Sequence, residues 1–569
     1  MTRIKELLEF IYGKDGEEKI LPPLVELLEQ FKRERGPAEG APRTQAVTHK
    51  DALLICYGDM LSAPAETGKG ETALARLERF LAELERGSFT CLHLLPFHPY
   101  SSDDGFSVID YRKVDPRLGD WDDIEKLGRR FKMTFDFVIN HGSVKSDWFR
   151  RFLAGEAKYR NWYLTRSEHY DWSKVVRPRT HPLLTPFEKS DGSKTWVWTT
   201  FSADQADYDF SCPELLLEFI GIFLDYIRRG GRMLRLDAIA YLWKEDGSPC
   251  LHHPKTHAVV KLLRAIVDYL GLPALILTET NVPHTENISY FGDGGNEAHL
   301  VYNFALPPLV LHAAVSGDAG PLRKWAAAVP ALPGGNCFLN FLASHDGVGL
   351  TPARGLVEDA AFAQTIEEAQ KRGALVSMKS TAAGPVPYEL NCSWADTVAP
   401  ESLGPPETQA RAFLATYAAA LAMPGLPAVY FHSWVGSRGW KEGPALLGYN
   451  RAINREKPAV DRLERELAAG GSFRSLVLRG FEKLLAFRSA ESAFDPASPC
   501  RVLESEGGIF ALLRGPDSAG ASVLCAGNFS PAEGKIDSGV PVLGEIVLPG
   551  RGVRWIAFDD KGIHRELSL

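Results

Sequence analysis

Cysteine is sparse and scattered. The eight residues, Cys56, Cys91, Cys212, Cys250, Cys337, Cys392, Cys500 and Cys525, include no CxxC pair, which argues against a thiolate zinc site or a dithiol redox motif of the usual spacing. Several fall in apolar, strand-like runs, so buried free thiols in a reducing cytoplasm are expected. No window of about 18 uncharged apolar residues occurs, and no membrane-spanning helix is expected. Basic runs are also missing. The 64 Lys and Arg stand against 72 Asp and Glu, a net charge of −8, so neither nucleic acid nor an anionic membrane is an expected partner. The N-terminal MTRIKELLEFIYG is an amphipathic helix pattern with charges throughout, unlike a signal peptide, and a cytoplasmic location is expected. Neither H-x-H nor HExxH spacing is present, so no metal is expected. Nothing in the sequence separates a monomer from a homodimer.

What is present has a rhythm. At 569 residues the chain should divide into two or three domains. Residues 1–50 read as a helical extension, two helices closed by the Pro/Gly-rich RGPAEGAPRT. From residue 52, short apolar runs alternate with helical patterns: ALLICYGD, FTCLHLLPF, MTFDFVINH, RMLRLDAIA, LILTETN, CFLNFLASHD and PAVYF. Strands alternating with helices imply a parallel sheet covered on both faces. No Gly-rich phosphate fingerprint follows the first strand, which disfavours a dinucleotide fold. Polar residues collect at the C-terminal ends of the runs: Asp59, His98, Asn140, His141, Asp237, Glu279, His345 and Asp346. In a (β/α)8 TIM barrel those ends share one face, where active sites sit. The expected fold is therefore α/β: a (β/α)8 barrel over 51–141 and 206–494. It carries an inserted subdomain (142–205) after strand 3, a second insertion (350–405) after strand 7, and a C-terminal antiparallel β domain (495–569).

GRMLRLDAIAY places Arg235 and Asp237 two apart in an apolar strand, hence on one face. Burying charge is costly and a buried pair is weak evidence for stability. A structural ion pair and a metal cluster are the competing readings. Three acids at strand ends, Asp237, Glu279 and Asp346, suit attack at a glycosidic carbon, with one carboxylate as nucleophile and one carboxylic acid protonating the leaving oxygen. Mutual repulsion would raise one pKa, as a general acid requires.

DFVINH (136–141), RLDAIAY (235–241), TETN (278–281) and ASHDG (343–347), in that order, resemble the four motif regions of glycoside hydrolase family 13. VVRPRTHPLLTPF, WTTFSADQADYDF, NFALPPLVLHA and NRAINR point to its sucrose-phosphorylase-like branch. The resemblance implies a retaining double displacement, with Asp237 as nucleophile, Glu279 as general acid/base and Asp346 as transition-state stabiliser. By the same resemblance His141 and His345 bind glucosyl hydroxyls, Asp103 and Arg451 bind the far side of the ring, and Phe106 faces the cationic transition state. Gln205, Arg235, Tyr241, Asn281 and Glu389 complete the expected substrate-binding set.

Phosphate binding is implied for Arg179 and Tyr388, with Arg177 and Lys379 as further charges. Inorganic phosphate is then a co-substrate and no cofactor is expected. Asn281 and Glu389 depart from sucrose phosphorylases at acceptor-facing positions. The N-terminal extension, SSDDGFSVIDY, TETNVPH and PYELN are more similar to glucosylglycerate phosphorylases, which implies reversible phosphorolysis of 2-O-α-glucosylglycerate to α-glucose 1-phosphate and glycerate. Sucrose, sucrose 6-phosphate or glucosylglycerol are alternative substrates, and a hydrolase or transglucosylase is a further alternative. For Glu389 two roles stay open: binding acceptor hydroxyls, or being compensated by a nearby cation.

Overall fold

A computed structural model describes residues 1–35, 47–63, 70–332, 335–381 and 384–569; the Pro/Gly-rich stretch read at 35–44 lies almost wholly outside the described residues. Eight parallel strands close into a barrel: β1 (Leu53–Cys56), β2 (Cys91–Leu94), β3 (Lys132–Phe137), β4 (Gly231–Leu236), β5 (Leu275–Thr278), β6 (Leu300–Tyr302), β7 (Cys337–Asn340) and β8 (Leu426–Tyr430). They pair in chain order, and β8 returns to β1. Helices cover the outside and side chains fill the inside, so nearly every strand residue is buried. That explains the continuous apolar runs. Seven of the eight strands lie within runs legible in the sequence. The exception, β6, is only Leu-Val-Tyr behind the polar GDGGNEAH.

Register positions the site. Asp136 of β3 lies beside Arg235 of β4, and His93 of β2 beside Thr134 of β3. With a side-chain period of two, His93, Thr134, Asp136 and Arg235 all point into the barrel.

The N-terminal run Thr2–Arg35 is helical throughout but broken at Gly13, whose φ of 74° lies in the left-handed region. It buries Ile4, Leu8, Ile11, Ile20, Leu24 and Leu28 against the barrel helices Pro213–Arg228 and Pro254–Leu270. Between β3 and the following barrel helix, a three-stranded sheet of Thr165–Arg166, Lys194–Trp198 and Leu184–Glu188 packs Leu164, Leu183, Leu184 and Trp198 into a small core of its own. After β7, the hairpin Leu375–Thr381 with Gly384–Asn391 pairs onto Val348–Gly349.

The C-terminal residues form a five-stranded antiparallel sheet and a two-stranded one. Alternation along Ile509–Arg514 splits its side chains. Phe510 and Leu512 join the main core, while Ile509 and Ala511 face a second core with Leu524, Ile546 and Leu548. Two buried arginines lie where this end meets the barrel. Arg488 donates to the carbonyls of Leu421, Asp51, Gly425 and His49, and Arg514 to those of Ala422 and Asp495. Leu421 and Ala422 end the helix Pro406–Ala422, so the guanidiniums satisfy carbonyls left open by the helix and complement its negative end. Replacing Arg488 with Leu should leave several buried carbonyls unpaired and cost about 3 kcal/mol. Calorimetry should show the thermal midpoint falling by several degrees; an unchanged midpoint would refute this role.

Candidate active site

The C-terminal ends of the barrel strands open into a cavity lined by Asp237, Glu279, His345 and Asp346. At its floor lies Arg235, buried to 1 % exposure. Its Nη1 donates to Asp136 Oδ1 and to Asp237 Oδ1, the latter at 2.7 Å. The guanidinium also lies 5.6 Å from the ring centre of Phe106 and 5.4 Å from that of Tyr302, between two π faces that suit a buried cation. Asp237 Oδ2 receives no hydrogen bond among the described residues, and it is free to react.

Ala238 follows with φ 47° and ψ 32°, a left-handed conformation that costs a non-glycine residue about 1–2 kcal/mol. It turns the Ala238 N–H toward Glu279 Oε2, at 2.9 Å. The two acids are therefore treated differently. Arg235 touches Asp237 but stays 3.9 Å from Glu279. Burial raises both carboxyls. For Glu279, burial and then the charges of Asp237 and Asp346 outweigh Arg235 and push its pKa up to about 7. For Asp237, burial is opposed first by Arg235 and then by His141. The proton thus resides on Glu279 and the charge on Asp237. Burial alone would raise Asp346 as well, but Arg451 and Arg455 hold it below the ordinary carboxylate range.

Phe106 and His345 stack at 5.0 Å and 6°. Burial holds the His345 ring well below its usual pKa, helped by Arg235 and Arg455, and burial likewise lowers His141. His141 Nε2 is 3.1 Å from both the Phe106 carbonyl and the Gln205 side-chain amide. Burial thus favours the neutral form of both histidines.

Asp103 and Arg451, both expected at the far side of the ring, line the cavity, and a further arginine stands against Asp103. Arg455 lies 3.5 Å from Asp103, 2.7 Å from Asp104 and 3.6 Å from Asp346, and donates to the His345 carbonyl at 2.8 Å. It is the second arginine of NRAINR, four residues on, and that repeat was the available signal. Arg451 lines the cavity but bridges Asp346 and Glu389. Its Nε and Nη2 grip Glu389 at 3.0 and 2.7 Å, a bidentate fork. A nearby cation therefore compensates Glu389, which also lines the cavity.

Arg179, Tyr388, Tyr241 and Asn281 line the cavity mouth with Phe201. Arg179 lies 5.8 Å from the ring centres of Phe201 and Tyr388, and no carboxylate pairs with it among the described residues. Arg177 does not reach the cavity; it donates to the His181 carbonyl of its own loop. Lys379 bonds Thr351 beside the Tyr388 ring. Two strand-end residues also fall away from the site: Asp59 pairs with Lys457, and His98 is held by Tyr226 and the Lys113 carbonyl. Beneath His141, Lys244 and Asp207 form a buried pair at 2.5 Å that also holds Asn140; nothing in the sequence pattern marked it.

An ionised carboxylate, a protonated one nearby, two neutral histidines and an arginine without an ion-pair partner among the described residues suit transfer of a glycosyl group to an anion. Comparisons with known proteins agree. Residues 79–331 match the alpha-amylase catalytic domain. The chain is 48% identical to a glucosylglycerate phosphorylase of Spirochaeta thermophila, covering 94% of this chain and 90% of that one. It is 42% identical to another from Allomeiothermus silvanus, covering 88% of each. Its fold resembles a sucrose 6F-phosphate phosphorylase from Thermoanaerobacter thermosaccharolyticum with a TM-score of 0.76 at 22% identity, covering 92% of this chain and 99% of that one.

Because the folded-state pKa of Glu279 lies near 7 against an ordinary 4.5, its stability contribution is whole below about pH 4.5 and lost as pH rises through about 7. The Glu279→Gln variant should be more stable than the parent at pH 8, by roughly 1–3 kcal/mol, with no such gain at pH 4.5. Denaturant unfolding at both pH values checks this, and an equal effect at both would contradict the assignment.

Proposed function

The chain belongs to glycoside hydrolase family 13, the α-amylase family, and we propose that it is a retaining α-glucoside phosphorylase acting reversibly on 2-O-α-glucosylglycerate. Asp237 Oδ2 attacks C1 of the glucosyl unit. The bond from C1 to the glycerate oxygen breaks, and that oxygen takes the proton of Glu279. The product is a β-glucosyl ester on Asp237. A phosphate oxygen then attacks C1 from the vacated face, its proton passes to Glu279, and the ester bond breaks to release α-glucose 1-phosphate. Two inversions give retention.

The observation that carries this reading is Arg179, a cavity-lining guanidinium flanked by two aromatic rings and without an ion-pair partner among the described residues. An acid-lined pocket repels anions unless a cation is left unpaired. Arg179 fits that need, taking the glycerate carboxylate in the first half-reaction and phosphate in the second. Arg451 is already committed to Asp346 and Glu389. The relatives at 42–48% identity support the same acceptor, since both are glucosylglycerate phosphorylases. Asn281 and Glu389, where sucrose phosphorylases differ, argue against fructose.

Incubation with glucosylglycerate, glucosylglycerol, sucrose and sucrose 6-phosphate, each with and without phosphate, tests the assignment. Phosphate-dependent glucose 1-phosphate from glucosylglycerate, at least tenfold faster than from the others, is expected. Equal glucose release without phosphate would mean a hydrolase. Arg179→Gln should raise the KM for phosphate by tenfold or more, about 1.4 kcal/mol, while α-glucosyl fluoride is still consumed. An unchanged KM would place phosphate elsewhere.

A further inference from the structure

Below the cavity floor, Asp136 is a buried acid with no path to substrate. It is 4 % exposed and is absent from the cavity lining. Its Oδ1 takes the Arg235 guanidinium. Its Oδ2 has one side-chain partner among the described residues, His93 Nε2 at 2.8 Å. His93 is itself fully buried and stands mid-strand in β2, away from the strand ends where the substrate-facing groups gather. We propose that His93 is a positioning residue for the nucleophile: its Nε2–H fixes the Asp136 carboxylate, which holds Arg235 where it can both orient Asp237 and keep it ionised.

The geometry requires the direction of that hydrogen bond. Arg235, then His93, hold Asp136 below the usual carboxylate range against the effect of burial. An ionised carboxylate only accepts, so the nitrogen facing it must carry hydrogen. Arg235 Nη1 is shared between two carboxylates, and the stiffness of that shared contact depends on Asp136 not rotating. Without the His93 donor, one oxygen of a fully buried carboxylate is left bare, which favours its protonation. A proton on Asp136 breaks the arrangement that holds Arg235. The other groups whose charge Asp136 feels or affects are Arg235 on β4, Asp237 just after it, His345 after β7, Tyr302 on β6, His98 after β2 and Tyr226 from the helix Pro213–Arg228. Tyr226 and His98 are tied to each other, and among the described residues only His93 and Arg235 donate hydrogen bonds to the Asp136 side chain.

The inference rests on Asp237 being the nucleophile, and its test separates the two. His93→Gln keeps an N–H near the position of Nε2, whereas His93→Phe keeps the ring volume without a donor. With α-glucosyl fluoride and phosphate, His93→Phe should lower kcat by roughly 10- to 100-fold, leave KM within about twofold, and move the acidic limb of the pH profile to higher pH. His93→Gln should restore most of both. A folded His93→Phe enzyme with an unmoved acidic limb, or equal losses in the two variants, would overturn the proposal. Nitrogen-15 spectra of the histidine-labelled parent, assigned by the signal lost in His93→Gln, give a second reading independent of that folding. They should show a protonated Nε2 at His93, and a bare Nε2 would overturn the proposal too. If the parent enzyme itself turns nothing over, the catalytic reading fails, and the nitrogen spectrum still decides the role of His93.

Discussion

One shared guanidinium organises this protein's chemistry. Arg235 Nη1 binds Asp136 and Asp237 at once, inside a barrel where water cannot relieve an error in placement. A buried charge pair is a poor source of stability, so its presence in a strand is better explained by what it arranges. Two aromatic rings enclose the cation, and its position relative to the two catalytic carboxyls differs. Contact with Asp237 and distance from Glu279 separate a nucleophile from an acid on adjacent strands.

The rest of the pocket follows the same economy of charge. Five carboxyl groups gather around it: Asp103, Asp237, Glu279, Asp346 and Glu389. Arg235, Arg451 and Arg455 each bind at least two acidic side chains. Among the described residues Arg179 is the cavity-lining cation without an ion pair, and it projects from the segment after β3 to meet Tyr388 from the hairpin after β7. The barrel thus supplies the bond-breaking groups, and the two segments on its upper face supply the place for an anion. Gly347 lets that hairpin close in. A Cβ there would sit 2.7 Å from both Glu389 Cγ and the Leu390 carbonyl oxygen.

Much of this was legible in the sequence because the barrel forces it to be. Strand interiors are apolar and strand ends are not, so Asp237, Glu279, His345 and Asp346 announced a common face before any coordinates. Other features had no local signature. The sixth strand is three residues long, too short for a period to register. Glu389 and Arg451 meet across 62 positions, so nothing near either residue reveals the pairing. Arg451 lies on the 3-10 turn Asn450–Asn454 and Arg455 just after it, and only packing decides which stands against Asp103. The left-handed turn at Ala238 is invisible in an alanine. His93 was hidden for a different reason: it lies mid-strand, where a polar residue reads as an interruption of the core.

The account turns on a glucosyl unit carried by Asp237 and passed to phosphate. The most direct measurement uses the Glu279→Gln variant with α-glucosyl fluoride, whose leaving group needs no proton, followed by mass spectrometry of tryptic peptides. The peptide Leu236–Lys244 should carry one added glucosyl unit, and adding phosphate should discharge it as α-glucose 1-phosphate. An unmodified peptide, or discharge as glucose at the same rate with and without phosphate, would contradict the account.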